Sequence, residues 1–352
     1  MERRLTRSIN IGGVQIGGGA PVVVQSMTNT PTQDVAATVR QIDRLMDAGC
    51  ELDRLAVPDM EAANALTRIK SQVALPLIAD IHFDHRIALA AIEKGIDGLR
   101  LNPGNIGGKK EVQQIVAAAR ARAIPIRIGV NAGSLGREIL KKYGHPTPEA
   151  MVESALNHVR ILEDLGFHHI KISLKSSNVL QTVSAYRLLS EKVDYPFHVG
   201  VTEAGTLISG TVKNSLGIGL LLAEGIGDTI RVSLTHDPVD EVKVAYEILK
   251  ALGLRQRGVE IISCPTCGRC EIDLVGLAEE VDIALRHITA PLKVAIMGCV
   301  VNGPGEAREA DVGIAGGRGQ GTLFKKGKVM KKVPEAQLAR VLIEEVKRMA
   351  AE

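Results

Sequence analysis

Residues 228–235 read DTIRVSLT. Ile230, Val232 and Leu234 alternate with Thr229, Arg231 and Ser233, so one parity is apolar and the other carries a guanidinium between hydroxyls. Alternate residues of a strand share a face. The apolar parity suits packing against helices, which leaves Arg231 pointing into whatever the strand encloses. An unpaired buried guanidinium is costly, so it requires acids or an anionic ligand.

The pattern recurs upstream. Short β-branched runs alternate with longer amphipathic stretches from residue 21 to about 251. The runs are PVVVQSM (21–27), LDRLAV (52–57), PLIADIH (76–82), DGLRLN (97–102), PIRIGVN (125–131), HHIKISLK (168–175), FHVGVTE (197–203) and DTIRVSLT (228–235). Eight strand–helix units over roughly 230 residues fit a (β/α)8 TIM-type barrel, which typically needs about 250. An open doubly wound sheet is the alternative, and eight consecutive units favour the barrel. The opening INIGGVQIGGGAP reads as a hairpin ahead of the first strand, placed to close the barrel floor.

Polar residues at the strand ends repeat the lesson of Arg231. Arg100 pairs in parity with Asn102, Arg127 with Asn131, and Asp80 with His82, while Lys171, Ser173 and Lys175 share a face on a fourth strand. With Arg54, these cations outnumber the strand-end acids, chiefly Asp80 and Glu203. Barrel active sites lie at the C-terminal ends of the strands. Several Arg forks, Lys and Ser/Asn donors there suit a ligand bearing two phosphoryl groups. An internal salt-bridge network is the competing reading. His85 reads as a helix-start residue, His168 and His169 as strand surface, and Cys50 as a structural thiol at a helix end.

After residue 252 the pattern changes. Strand-like VEIISC, LKVAIMG and ADVGIAGG are interspersed with the helix patterns EIDLVGLAEEVDIALRHI and PEAQLARVLIEEVKRMA. This divides the chain into a barrel over 1–252 and a small α+β domain over 253–352. GRGQG at 317–321 lacks the strand-then-helix context of a phosphate loop and reads as a hairpin turn.

Composition narrows the class. The chain has 352 residues, 45% hydrophobic and 24% charged, with a net charge of +3, no Trp, four Phe and four Tyr. Low charge and few stacking rings argue against nucleic acid. No apolar run is long enough for a membrane span, and no secretory signal opens the chain, so a cytoplasmic protein is expected. Five cysteines, four of them towards the C-terminus, point to metal in a reducing compartment rather than to disulfides.

Those four are Cys264, Cys267 and Cys270 in CPTCGRC, and Cys299 in MGCVVNGPGEA. One distant cysteine, rather than a second pair, favours iron–sulfur over zinc. His287 is the residue that could complete a zinc site. The turn NGPG presents Glu306 beyond Cys299. It is a surface glutamate or an iron ligand whose oxygen yields more readily than a thiolate.

The strings VVVQSMTNT, LRLNPGNIG, IRIGVNAGSL, HVGVTEAG, GIGDTIRVSLT, CPTCGR and CVVNGPGEAREADVGIAGG resemble the 4-hydroxy-3-methylbut-2-enyl diphosphate synthase family, from about residue 8 to 320. The resemblance implies a barrel followed by a domain holding a [4Fe–4S] cluster on Cys264, Cys267, Cys299 and Glu306, with Cys270 outside the ligand set. It implies reductive opening and dehydroxylation of 2-C-methyl-D-erythritol 2,4-cyclodiphosphate, with ferredoxin or flavodoxin as donor. Diphosphate contacts carry over to Arg54, Arg100, Arg127, Asn131, Lys175, Arg231 and Ser233. Asp80 and His82 join them from the same strand-end set. Thr202 and Glu203 face the reacting end, with Glu203 as the candidate acid, and Asn302 lies beside the cluster. A homodimer is implied, in which one chain's cluster domain covers the other's barrel mouth. The competing function is a non-redox phosphate-ester-binding barrel with a structural zinc domain.

Overall fold

Two short strands, β1 (Ile9–Ile11) and β2 (Val14–Ile16), form an antiparallel hairpin in the computed structural model, which describes residues 2–299, 305 and 309–352. Gly12 and Gly13 turn the hairpin with φ of +55° and +97°, a region that L side chains avoid. Ile9, Ile11 and Ile16 pack on Val23, Leu52 and Ile78, which lie at or near the starts of three barrel strands. The hairpin therefore plugs the barrel floor with side chains, as its sequence suggested.

The barrel strands are β3 (Val23–Met27), β4 (Leu52–Ala56), β5 (Leu77–Asp80), β6 (Gly98–Arg100), β7 (Ile126–Asn131), β8 (Ile170–Lys175), β9 (His198–Val199) and β10 (Thr229–Ile230). They form one eight-stranded sheet in the order β8-β7-β6-β5-β4-β3-β10-β9, every pair parallel. A parallel bridge between Ile172 and Phe197 returns β8 to the start of β9 and closes the ring. The doubly wound alternative is thereby excluded.

Strand parity decides what fills each side. Leu77, Ala79, Ile126, Ile128, Ile170 and Ile172 share a core with helix residues such as Ile42, Leu45, Leu66, Ile69, Ile115 and Leu162. Burying each such side chain is worth about 1.5–3 kcal/mol. The helices begin where side-chain oxygens accept their first free N–H groups. Asp34, Asp59, Asp84, Thr147, Asn178 and Asp237 all do so, each cap contributing about 1 kcal/mol.

Two strands shrink to two residues each. FHVGVTE and DTIRVSLT contribute only His198–Val199 and Thr229–Ile230. Beyond those residues the backbone is claimed by other groups. Ser233 N–H donates to Asn214 Oδ1 at 3.3 Å and Leu234 N–H to Glu241 Oε1 at 2.9 Å. The ladder stops because side chains capture the N–H groups that would extend it.

The chain divides between Arg255 and Gln256. The second unit carries β11 (Glu260–Ser263), β12 (Lys293–Met297), β13 (Val312–Gly317), β14 (Gln320–Lys325) and β15 (Lys328–Pro334), in sequential order. The first three are parallel, and β13, β14 and β15 form an antiparallel meander. Helices Leu274–Leu285 and Leu338–Ala351 cover one face through Val281, Leu285, Leu342 and Val346, packed on Ile296, Ile314 and Leu323. GRGQG is the β13–β14 turn, with Gly319 at φ +67°.

Candidate active site

In register, Asp80 lies opposite Arg100, Arg100 opposite Arg127, and Arg127 opposite Lys171. Directly paired residues of a sheet share a face. Four charged side chains therefore form one row on the inner wall, three of them cations. All four are buried, with relative exposures of 7%, 5%, 3% and 1%. Towards the mouth, Asn131 lies opposite Lys175, and Arg54 is buried nearby.

Asp80 is the hub. Arg100 Nη1 approaches its Oδ1 at 3.1 Å, Arg54 Nε its Oδ2 at 3.5 Å, and His82 Nε2 its Oδ1 at 3.4 Å. Burial by itself would raise the Asp80 carboxyl, but Arg54, Arg100 and Arg127 outweigh it and hold it below the usual range. Arg54 also rests on Met27 Sδ, with Nη2 at 2.8 Å. Arg100 Nη2 donates to Gly129 O at 3.1 Å, and Arg127 Nη1 to Ser173 Oγ at 2.8 Å.

One acid does not balance this set. Arg100 Nε, Arg127 Nε and Nη2, Arg231 Nε and Lys171 Nζ are buried without a hydrogen-bond partner among the described residues. Burial lowers Arg54 to about 10, opposed by Asp80 and reinforced by Arg231 and Arg100. Burial, then Arg54 and Arg100, push Arg127 well below its ordinary value. Lys175 falls for the same reason, with Arg231 and Arg127 adding to desolvation. Cations crowded in low dielectric raise each other's energy, and a dianionic ligand reverses both terms. The salt-bridge-network reading accounts for Arg54 and Arg100 through Asp80 and for Arg231 through Glu241, and leaves Arg127, Lys171 and Lys175 without a paired acid among the described residues.

Lys175 Nζ lies 3.5 Å from His198 Nε2, and His198 Nδ1 lies 2.8 Å from Thr229 Oγ1. Burial, then Lys175 and Arg127, keep this imidazole neutral by lowering it well below its usual value. Arg231 Nη2 reaches Glu241 Oε2 at 3.3 Å. Ser233 and Asn131 are half-buried beside these groups. Thr202 is half-buried and Glu203 exposed on the segment after β9. Glu203 has φ of +54°, a left-handed conformation that costs a non-glycine residue of order 1–3 kcal/mol and clusters at functional sites.

Sequence reading missed Glu241, His198 and the buried Asp53. His198 shares the parity of Gly200 and Thr202 and was legible in FHVGVTE. Glu241 sits four residues before Ala245 and seven before Ile248 on the buried stripe of its helix, where an acid is out of place unless partnered. Asp53 lies on the outward parity, opposite Ser26 and Leu77, with neither carboxyl oxygen hydrogen-bonded among the described residues. Burial raises it to about 7.

In the second unit, Cys264 follows β11 directly and Cys299 follows β12 after Gly298. Parallel pairing of Ser263 with Ile296 makes both cysteines leave the same end of the sheet. Gly298 N–H donates to Cys264 Sγ at 3.4 Å. Cys267 is exposed, its thiol lowered by the Arg269 backbone N–H and guanidinium. Cys270 Sγ instead donates to Ile272 O at 3.2 Å, and a Cβ at Gly298 would lie 2.5 Å from it. His287 is exposed. Asn302 and Glu306 lie outside the described residues, among which no three metal-ligating side chains come together.

Comparison with known proteins agrees along the whole chain. The GcpE TIM-barrel domain profile matches residues 6–246, and the GcpE protein C-terminal domain profile matches residues 260–348. The chain is 65% identical over 347 residues to 4-hydroxy-3-methylbut-2-en-1-yl diphosphate synthase (flavodoxin) of Geobacter sulfurreducens, covering 99% of this chain and 98% of the relative. It is 61% identical to the protein of the same name in Thermodesulfovibrio yellowstonii, covering 99% and 100%. Among solved structures, a sialic acid synthetase from Leptospira borgpetersenii superposes with a TM-score of 0.51 at 15% identity, covering 72% of this chain and 92% of that one. That likeness concerns the barrel fold alone.

Proposed function

The chain belongs to the GcpE family, and on that premise we propose that it catalyses the two-electron reductive ring opening and dehydroxylation of 2-C-methyl-D-erythritol 2,4-cyclodiphosphate to 4-hydroxy-3-methylbut-2-enyl diphosphate. The observation that carries the reading is the surplus of buried, unpartnered cationic nitrogens on the inner wall of the barrel. A cyclic diphosphate supplies the missing negative charge.

Arg54, Arg100, Arg127, Lys175 and Arg231 hold the phosphoryl oxygens, with Asn131 and Ser233 as neutral donors. Asp80 and His82 keep Arg54 and Arg100 aimed inward. Neutral His198 accepts from Lys175 and fixes its ammonium. Thr202 and Glu203 face the reacting carbons. The departing oxygen leaves as water once protonated, and Glu203 delivers that proton from a strained, exposed position that the ligand covers. The charged mouth desolvates the substrate, so no bulk water competes for its oxygens.

Cys264, Cys267, Cys299 and Glu306 would hold a [4Fe–4S] cluster, and one-electron reduction is the chemistry such a group would supply there. The donor set fits it. Cys264 and Cys299 leave the same sheet end, and the Cys267 thiol is eased towards the thiolate. The Cys270 thiol is engaged with a carbonyl, which supports leaving it out. Asn302 is proposed to lie beside the cluster. Flavodoxin, which the relatives' names carry, is proposed as donor ahead of ferredoxin. A homodimer is part of the reading, as is a cytoplasmic site. Five free cysteines suit a reducing compartment, and no helix among the described residues is long and apolar enough to cross a membrane.

Anaerobic reconstitution tests the whole. Iron and sulfide in about 4:4 ratio to protein, and turnover of the cyclic diphosphate with reduced flavodoxin, are expected. Colourless protein with stoichiometric zinc after reconstitution would overturn it in favour of the zinc-domain alternative, which nothing in the relatives' names supports.

A further inference from the structure

We propose that Glu241 is a positioning residue that sets the affinity of the mouth for the diphosphate, acting through Arg231 and the segment that carries Ser233. The inference rests on the diphosphate reading above.

Glu241 lies on the helix Pro238–Ala251 and is 4% exposed. An isolated carboxylate at that depth is unfavourable, and three groups account for its presence. Leu234 N–H donates to Oε1 at 2.9 Å, Ser26 Oγ approaches Oε2 at 3.5 Å, and Arg231 Nη2 lies 3.4 and 3.3 Å from the two oxygens. One carboxylate thus ties together β3, the segment after β10 and the arginine between them.

The arrangement of Arg231 is informative. Glu241 engages only Nη2, while Nε is buried and has no hydrogen-bond partner among the described residues. A guanidinium carries five N–H donors in a rigid plane. Fixing Nη2 from the helix side leaves the Nε and Nη1 donors for phosphoryl oxygens. Leu234 is the neighbour of Ser233, so the bond to its N–H also places the hydroxyl donor. Arg231 further depresses the nearby Arg54, and the Glu241 charge offsets that crowding in the ligand-free protein. Glu241 touches neither the reacting atoms nor, by this geometry, the ligand.

The test uses cluster-loaded enzyme and two probes, the cyclic diphosphate substrate for turnover and inorganic diphosphate for binding calorimetry. Glu241→Gln is expected to raise both KM and the diphosphate Kd by about 10- to 100-fold, the range for loss of a charge-assisted hydrogen bond. The kcat at saturation should stay within about threefold and iron content should be unchanged. Glu241→Asp, which keeps the charge at shorter reach, should fall between Gln and wild type. Glu247→Gln, an exposed position on the same helix, should match wild type. A purely structural role would lower Tm without moving KM or Kd, and that result overturns the proposal. So does a fall in kcat at constant KM. Should the Gln variant not fold, a wild-type Kd for Glu241→Asp overturns it as well. Arg231→Ala separates the two readings. If it binds diphosphate normally, the mouth assignment itself fails; if it binds weakly while Glu241→Gln binds normally, only the Glu241 inference fails.

Discussion

The barrel mouth and the cysteine end of the second unit solve opposite problems. In the barrel, Arg100, Arg127 and Lys171 occupy one paired row of rigid strands and are nearly inaccessible. Their positions are fixed before any ligand arrives, at the expense of crowding like charges. At the cysteine end, Cys267 is exposed on a loop, and the proposed ligands Cys264 and Cys299 come from segments that follow strands rather than lie in them. Preorganised cations recognise an anion by shape and charge together. Thiolates on loops need the metal to complete their arrangement, because metal binding and local folding are coupled. On the proposed function, affinity for the diphosphate comes from strand register, whereas the proposed redox centre would depend on its cofactor to order the cysteine loops.

Four experiments probe this contrast. Cys264→Ser or Cys299→Ser should abolish the cluster and reduce turnover to background, while Cys270→Ser keeps near-normal iron; equal iron loss in all three would erase the distinction within CPTCGRC. Glu203→Gln should lower kcat by about 10²–10⁴-fold, the usual weight of general acid catalysis, with KM nearly constant. A rate near wild type removes Glu203 as the acid. Arg127→Ala should weaken diphosphate binding by about 10- to 100-fold without changing iron content, as titration calorimetry and iron assay would read. Unchanged affinity would mean that the inner row serves stability alone.

The smallest effect concerns pH. Burial raises Asp53 to about 7 from an ordinary 3.8. A carboxyl raised in the folded state contributes stability that is full below the unfolded value and is lost as pH rises towards the folded one. Asp53→Asn should therefore match wild type near pH 4 and gain Tm progressively up to about pH 8. The ceiling is on the order of 4 kcal/mol, from roughly three pK units at 1.36 kcal/mol each. His198 is lowered by burial, so it acts in the opposite sense below about pH 6.5, and the variant-minus-wild-type difference removes its contribution. A pH-independent difference would show that Asp53 is ionised throughout.

Much of this was legible in the chain itself. Period-two alternation around Arg231, Arg127 and Lys175 revealed both the strands and their inward charges, because a two-residue period admits only two faces. CPTCGRC with one distant cysteine pointed to a metal by composition and spacing, and the proposed cluster rests on that pattern. The strand KVMKKVP was not legible. Its side chains are exposed except Val333, and lysine on a sheet edge hides alternation while discouraging further pairing. The ends of β9 and β10 were overextended, since nothing local shows that Asn214 and Glu241 would take the backbone N–H groups of Ser233 and Leu234.

The order of residues along the chain set the barrel, the sign of charge inside it and the cysteine spacing on which the proposed redox centre rests, because periodicity and composition are local quantities. Tertiary structure alone decided which cations share a row, that Asp80 is their hub, and that Cys270 turns to the Ile272 carbonyl. It also decided that Glu241, distant from the other strand ends along the chain, stands behind Arg231. Such relations depend on strand register and on which helix face meets the sheet, and those are settled only when the ring closes.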